Sequence, residues 1–210
     1  MSIEIKKDLE KFATIPNFKS PVTFFGSARL KDHNPYCIKA KALAKRCVEE
    51  GFCVISGGGG GIMKAANEGA FEQDAKFISS VGFNILLPHE QKLNDFVEYS
   101  ITFESLAIRK MALIEKSFAF VIFPGGFGTL DELLDVLTLK QLKFKKHIPI
   151  ILYGKDFWQS LDDFVKNSLL KLKVIDKNDL SKYIICDEIE KIIQILKENN
   201  ENFSRNEWRS

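Results

Sequence analysis

The sequence lacks the features that would place it at once among membrane proteins or nucleic-acid-binding proteins. It contains no run of about 18 apolar residues, the minimum for a helix that crosses a bilayer. Its 30 basic and 28 acidic residues nearly cancel and are spread along the chain, so no basic surface is predicted to collect nucleic acid. We therefore expect a protein that binds neither membrane nor nucleic acid.

Cysteine is scarce, and its spacing does not match the common metal-binding patterns. The four cysteines are Cys37, Cys47, Cys53 and Cys186, and no two of them form a C-x-x-C pair. We expect reduced thiols inside the fold and no metal. The N-terminal stretch is charged and lacks the apolar core of a secretory signal, which predicts a cytoplasmic location.

The remaining composition, 45% hydrophobic and 28% charged in 210 residues, is typical of one globular domain. Short apolar runs, such as Val22 to Phe25 and Phe118 to Phe123, alternate with segments of helical periodicity. This alternation predicts a single-domain, Rossmann-like, doubly wound α/β fold, with a mostly parallel sheet and helices on both faces. We place the catalytic domain at 21–198, after a polar N-terminal segment (1–20) and before a polar tail (199–210).

Two glycine-rich turns follow predicted strands and precede predicted helices, at Gly57 to Gly61 and at Pro124 to Gly128. Glycines at such a position let backbone N–H groups approach an anion at the positive end of a helix. A tight turn without a ligand is the alternative, but five consecutive glycines weaken it, because so flexible a run needs compensation. We predict that these turns bind phosphate.

Two common phosphate motifs are excluded by spacing. A Walker A loop requires Gly-Lys-Ser/Thr, but Gly61 is followed by Ile62 and Met63. The dinucleotide motif G-x-G-x-x-G would need glycine at Ile62 or at Asp131. ATP hydrolysis and NAD binding therefore lose support.

The segment Pro124-Gly-Gly-Phe-Gly-Thr-Leu-Asp-Glu132, with Arg109-Lys110 ahead of it, resembles the "lonely guy" family. That family consists of phosphoribohydrolases that act on cytokinin riboside 5′-monophosphates and related purine nucleotides, and its members are often labelled possible lysine decarboxylases. The resemblance extends from about Val22 to Trp158. It implies a nucleoside monophosphate substrate, a homodimer or larger homo-oligomer, and neither a metal nor a pyridoxal phosphate (PLP) cofactor.

The resemblance also implies specific site residues. Arg109 and Glu132 are implied to be catalytic. The implied substrate contacts are Glu90, Lys110, Gly125, Gly126, Phe127, Gly128, Thr129, Leu130, Asp131 and Thr138. Additional candidates to line the pocket are Ser27, Gly58, Gly59, Gly61, Met63 and Asn67.

Glu132 also has a structural explanation, because Thr129 to Glu132 ahead of an apolar helix matches a capping box with Thr129 at N-cap. The two roles are compatible. In the first helical turn the dipole would favour the charged form of Glu132, so we expect an anion that stabilises positive charge rather than a general acid.

Arg109 and Lys110 lie in a predicted helix whose neighbouring positions are apolar or small and contain no acidic residue. A solvent-exposed surface pair is the ordinary interpretation. A guanidinium among apolar residues instead needs a counter-charge, and either a substrate phosphate or Glu132 would suit. We predict that Arg109 orients Glu132 or the substrate and that Lys110 helps neutralise phosphate.

Two other functions remain open at the level of sequence. A nucleotide-binding or sensing protein could keep the phosphate turns without turnover. A PLP-dependent lysine decarboxylase would need a Schiff-base lysine and a partner for the pyridinium nitrogen, and no lysine is marked for that role.

Overall fold

The computed structural model describes residues 3–86, 92–145 and 147–206. Within them, seven strands form one sheet in the order β4-β3-β2-β1-β5-β6-β7, and every neighbouring pair is parallel. The strands are β1 (Val22–Phe25), β2 (Val54–Ser56), β3 (Ser80–Ile85), β4 (Tyr99–Phe103), β5 (Ala119–Ile122), β6 (Ile150–Leu152) and β7 (Ile184–Ile185). The predicted α/β fold is confirmed, with a sheet that is parallel throughout these strands.

Helices connect the strands and cover both faces of the sheet. They are α1 (Ile3–Ala13), α2 (Pro35–Glu49), α3 (Ile62–Phe71), α4 (Leu106–Glu115), α5 (Phe127–Gln141), α6 (Lys155–Phe164) and α7 (Ile189–Asn206). A π-helical segment, Val165–Leu170, continues α6, and a short 3₁₀ helix spans Lys177–Ser181. Each parallel strand pair needs a crossover, which these helices supply.

The core consists of two apolar layers, because successive side chains of a strand point to opposite faces. In β5, Val121 belongs to the layer packed by α2, α3 and α7, whereas Phe120 and Ile122 belong to the layer packed by α4, α5 and α6. Such strands are buried on both faces and therefore have no polar alternation. This explains why the short apolar runs of the sequence are strands.

The strand order reverses at the centre of the sheet. From β1 the chain builds outward through β2, β3 and β4, then returns to place β5 on the other side of β1. The loops that follow β1 and β5 are joined by a hydrogen bond from the Ser27 N–H to the Pro124 carbonyl, 3.0 Å long. In open α/β sheets a crevice forms at such a switch point.

Helices lie at both ends of the described part of the chain. Helix α1 packs beside α4, and the buried Asp8 carboxylate accepts the backbone N–H groups of Glu104 (2.8 Å) and Ser105 (2.6 Å) where α4 begins. Helix α7 continues to Asn206, into the segment 199–210 that was predicted as a polar tail. The division of the chain into a catalytic domain and two polar segments stays a prediction.

The four cysteines are buried free thiols. Burial raises the pKa of the Cys37 thiol above its ordinary value, which disfavours a reactive thiolate. Among the described helices, none is both long and apolar enough to span a membrane.

Candidate active site

A cleft of about 580 Å³ opens at the switch point, between the loop after β1 and the beginning of α5. Its walls combine glycine backbone, apolar side chains and three ionisable groups. The lining residues are Gly26, Ser27, Ala28, Arg29, Met63, Ile85, Arg109, Gly126, Phe127, Gly128, Thr129, Leu130 and Glu132. Both residues predicted to be catalytic are among them.

Arg109 and Glu132 form a buried ion pair at the floor of this cleft. Nη1 of Arg109 lies 2.5 Å from Oε1 of Glu132, and the two side chains are 10% and 12% exposed. Nε of Arg109 also donates to the carbonyl of Phe83, 3.0 Å away within β3. Of the two counter-charges predicted for Arg109, the structure supplies Glu132.

The predicted capping box at Thr129 is wrong, because α5 begins earlier. Gly126 is the N-cap and has no side chain to bond the first turn, so Thr129 is the third helical residue. Glu132 therefore lies in the second turn. There it faces α4 and Arg109 rather than the backbone of the helix N-terminus.

Burial raises the pKa of the Glu132 carboxyl above its ordinary value, against the lowering caused by the Arg109 guanidinium. The helix dipole is expected to favour the charged form, but the net shift of this pKa is upward, because desolvation is the largest effect. A carboxyl with a raised pKa accepts a proton more readily than an exposed one.

Lys110 does not line the cleft, so its predicted role in neutralising phosphate stays a prediction. Its ammonium bridges Asp131 (2.9 Å) and Asp135 (2.7 Å) on the outer side of α5. Burial lowers the pKa of Lys110, but the two carboxylates outweigh it and the net shift is upward. Lys110 and Asp131 thus join α4 to α5, and their contact with substrate stays a prediction.

The turn after β5 packs tightly at its base and is open at the cleft. A Cβ on Gly125 would collide with the Thr129 side chain, whereas a Cβ on Gly126 or Gly128 would meet nothing within 4 Å. Thr129 is 5% exposed, and its hydroxyl makes no hydrogen bond within the described part of the chain. This turn therefore leaves both space and a donor at the cleft.

The five-glycine loop after β2 is largely explained by packing. A Cβ on Gly57 would strike the Arg109 guanidinium, and one on Gly61 would strike the Ser27 carbonyl. The N–H of Gly58 is taken by Ser56 Oγ (2.9 Å), and the Gly59 carbonyl accepts from Asn94 (3.0 Å). Gly58, Gly59 and Gly61 do not line the cleft, so their predicted contact with substrate remains untested.

Among the other candidates, Ser27 and Met63 line the cleft, whereas Asn67 does not. The Asn67 amide is fully buried and bonds Ser56, Ser80 and Asn94, so it supports the loop from behind. Thr138 is exposed on α5, outside the cleft, and its hydroxyl donates to the Leu134 carbonyl (2.7 Å). Glu90 lies outside the described residues.

Part of the cleft is formed by residues that the sequence patterns did not indicate, namely Gly26, Ala28, Arg29 and Ile85. The sequence did contain an indication of this loop, because Gly26 to Arg29 directly follows the first predicted strand. In an open α/β sheet, loops that follow strands at the point where the strand order reverses bind ligands. Ile85 ends β3, and no local pattern distinguishes it from a core residue.

Gly57, which is closely packed, and Gly128, which has open space around it, predict different effects of alanine substitution on stability. We expect Gly57→Ala to destabilise the fold by about 1–3 kcal/mol, because the new methyl group competes with Arg109 for space. Gly128→Ala should leave stability unchanged or raise it by up to about 1 kcal/mol, since alanine favours the helix and the site is open. Chemical denaturation of both variants tests this. Equal losses in the two would contradict the packing explanation.

No group of three or more histidine, cysteine or acidic side chains able to hold a metal occurs within 3–86, 92–145 and 147–206. One lysine does have the lowered pKa that Schiff-base chemistry requires. Burial lowers the pKa of Lys140 to about 8, and its amino group donates to the Ile148 carbonyl at 2.7 Å. Lys140 does not line the cleft, so its pKa gives no support to a decarboxylase.

The pKa of Lys140 predicts a pH-dependent stability difference. The pKa of Lys140 in the folded protein, about 8, lies below the ordinary 10.5. Its contribution to folding stability is therefore fully present above pH 10.5 and is lost as the pH falls through 8. We expect Lys140→Met to be more stable relative to the wild type at pH 7 than at pH 10. Thermal melts of both proteins at the two pH values measure this. A stability gap independent of pH would contradict a buried, easily deprotonated amine.

Comparison with known proteins identifies the family. The family model described as "possible lysine decarboxylase" matches residues 63–196. The chain belongs to this family, the lonely guy family. A curated member from Arabidopsis thaliana, named a cytokinin riboside 5′-monophosphate phosphoribohydrolase, is 28% identical over 157 residues, covering 74% of this chain and 72% of the relative.

Two further lonely guy relatives carry the same activity in their names. A probable phosphoribohydrolase from Oryza sativa subsp. japonica is 31% identical over 158 residues, covering 74% of this chain and 63% of the relative. One from Mycobacterium marinum is 26% identical over 157 residues, with shares of 74% and 82%.

Solved structures support the fold alone. The molybdenum cofactor binding protein of Rippkaea orientalis has a TM-score of 0.61 at 19% identity, covering 86% of this chain and 96% of that one. The molybdenum cofactor carrier protein of Chlamydomonas reinhardtii has a TM-score of 0.60 at 20% identity, with shares of 88% and 99%. The Rossmann-like scaffold therefore occurs in proteins with different ligands.

Proposed function

We propose that this protein hydrolyses the N-glycosidic bond of purine nucleoside 5′-monophosphates, including N6-modified adenosine monophosphates, and releases the free base and ribose 5-phosphate. One observation carries the proposal: the buried Arg109–Glu132 pair opens into the same cleft as the N-terminal turn of α5. In that arrangement a helix end able to bind an anion and a carboxylate would both be within reach of one small ligand.

The phosphate is proposed to bind at the beginning of α5. The first N–H groups of a helix have no partner within the helix, and the dipole adds partial positive charge there. The open space at Gly126 and Gly128 lets an oxyanion approach these groups closely. The free hydroxyl of the buried Thr129 would supply another donor.

The chemical step is proposed to use Glu132. As the bond from C1′ to the base nitrogen breaks, its electron pair leaves with the base, which takes up a proton from solvent, and the ribosyl carbon gains positive charge. The Glu132 carboxylate stabilises that charge and accepts a proton from the attacking water, whose oxygen forms the new bond to C1′. Arg109 holds the carboxylate in place, because a second hydrogen bond, to the Phe83 carbonyl, fixes the position of the guanidinium. Binding energy from the remote phosphate fixes the ribose for this attack.

The base is proposed to lie on the apolar part of the cleft, which Met63, Ile85 and Leu130 provide. Such a surface favours a planar purine over water and places no charge against its ring. An N6 substituent would extend this apolar contact, in keeping with the cytokinin ribosides in the names of the relatives.

The protein is proposed to act as a homodimer that uses the outer face of α5. Phe127 is 92% exposed, Leu134 is 56% exposed, and the exposed Thr138 continues the same helical face. A large aromatic side chain is rarely left so open on a monomer, and a second copy would cover it. Light scattering on the purified protein tests this, and a monomer at micromolar concentration would contradict it.

The proposed function is tested by incubating the protein with a panel of nucleoside 5′-monophosphates and the matching nucleosides. Chromatography would measure free base and ribose 5-phosphate. We expect base release from monophosphates and at least a hundredfold less, as an order-of-magnitude figure, from nucleosides. Equal rates on both would contradict the phosphate argument, and tight binding without any release would favour a sensing protein instead.

A lysine decarboxylase is tested on the same preparation. Production of CO₂ from lysine after addition of PLP, together with an imine absorbance band, would replace the proposed function. We expect neither, because the cleft is lined by no lysine among the described residues.

A further inference from the structure

We propose that Arg29, in the loop after β1, is the cation that recognises the substrate phosphate and makes the site selective for monophosphates over nucleosides. This inference rests on the proposed function. Arg29 lines the cleft, its side chain is exposed, and it forms no ion pair within the described part of the chain. It was not singled out by the sequence patterns.

The other basic side chains near the cleft already form ion pairs with carboxylates. Arg109 is bonded to Glu132 and to the Phe83 carbonyl, so its donors face the floor of the cleft. Lys110 bridges Asp131 and Asp135 and does not line the cleft. Arg29 is therefore the lining cation whose charge is not neutralised by a described carboxylate.

The loop that carries Arg29 is held rigidly against both neighbouring turns. The N–H of Arg29 donates to the Ser27 hydroxyl at 3.1 Å. The Ser27 N–H donates to Pro124, and the Ser27 carbonyl accepts from Ile62, both at 3.0 Å. The absence of a side chain at Gly61 permits the last contact. Arg29 thus extends from a fixed backbone position beside the turn that begins α5.

A guanidinium at this position complements the N-terminus of α5 chemically. A phosphate monoester carries close to two negative charges at neutral pH, and one helix end neutralises only about half a charge. An arginine offers paired N–H donors that match two phosphate oxygens. Together the two groups would favour the dianion, whereas a nucleoside would gain nothing from Arg29.

The test measures binding of ribose 5-phosphate by calorimetry, because this probe carries the phosphate but has no N-glycosidic bond to cleave. We expect Arg29→Gln to weaken its binding about tenfold or more. Arg29→Lys should recover part of the loss, since charge is kept and the paired geometry is not. Free ribose serves as the ligand without phosphate and should be unaffected by either change.

Lys31→Gln is the matched control. It removes one positive charge from the same loop, but Lys31 is exposed and does not line the cleft, so binding and melting temperature should stay at wild-type values. Arg29→Gln should also have the melting temperature of the wild type, because the Arg29 side chain makes no hydrogen bond or ion pair within the described residues. In turnover assays, Arg29→Gln should raise KM for the monophosphate about tenfold and change kcat little.

The outcomes separate this inference from the proposed function. Wild-type affinity for ribose 5-phosphate in Arg29→Gln, or an equal loss in Lys31→Gln, would overturn the role of Arg29 while base release by the wild type still stood. Selective loss in Arg29→Gln without any base release by the wild type would support Arg29 as a phosphate ligand and reject the hydrolase.

Discussion

Glu132→Gln is expected to lower kcat for base release from a nucleoside monophosphate by about a hundredfold to ten-thousandfold. Glutamine keeps the shape and one acceptor oxygen for Arg109, but it cannot take a proton from water or supply a full negative charge to the ribosyl carbon. The phosphate contacts at α5 do not involve this group, so KM should change by less than about threefold. Steady-state kinetics on the purified variant measure both parameters.

The pH profile of the wild type gives an independent check on Glu132. The active form is the carboxylate, so activity should rise with pH through the pKa of this group. Burial raises that pKa, and the acidic limb should therefore lie above the ordinary glutamate value of 4.5. Glu132→Gln should lose this limb.

Asp135→Asn provides the matched control for Glu132→Gln. Asp135 lies on the same helix, one turn further along, but its partner is Lys110 and it does not line the cleft. We expect nearly wild-type kcat, because neutralising this carboxylate alters only a surface ion pair. Comparable losses in the two variants would show that the helix, rather than the Glu132 carboxylate, is what matters.

Much of the scaffold could be predicted because it depends on local patterns. Strand β1 has the predicted ends, since an apolar run bounded by Gly26 leaves little choice. Strand β4 was missed. It is an edge strand with alternating exposure, so it lacks the continuous apolar run that marks the central strands.

The candidate site was predictable where a charged residue required a counter-charge from elsewhere in the chain. Arg109 has only apolar or small neighbours on its own helix, which required a distant counter-charge and correctly indicated Glu132 as one of two choices. The partners of Lys110 were not predictable, because they depend on how α4 packs beside α5. The capping error at Thr129 arose because a glycine N-cap, Gly126, leaves no sequence signature.

Arg109→Met is expected to destabilise the protein by about 3–5 kcal/mol, the range found when a buried ion pair loses one partner. The loss leaves Glu132 charged, 12% exposed and without its counter-charge. Because protonation relieves that penalty, the loss should be largest at neutral pH and shrink as pH falls through the pKa of Glu132. Denaturant unfolding at several pH values measures it. Lys110→Met, which breaks a more exposed bridge, should lose only about 1 kcal/mol or less.

The double variant Arg109→Met/Glu132→Gln separates the structural role of the pair from its chemical role. Removing both charges leaves no unpaired buried ion, so the double variant should be more stable than the sum of the single losses predicts, by about 2–3 kcal/mol. Base release should nevertheless stay as low as in Glu132→Gln alone, because the carboxylate is absent. If the double variant recovers stability but not activity, the ion pair is needed for the reactive carboxylate and not for stability, because an uncharged pair serves the fold as well. Additive stability losses would mean that the two charges do not interact across the cleft floor, and the position of Glu132 would then need another explanation.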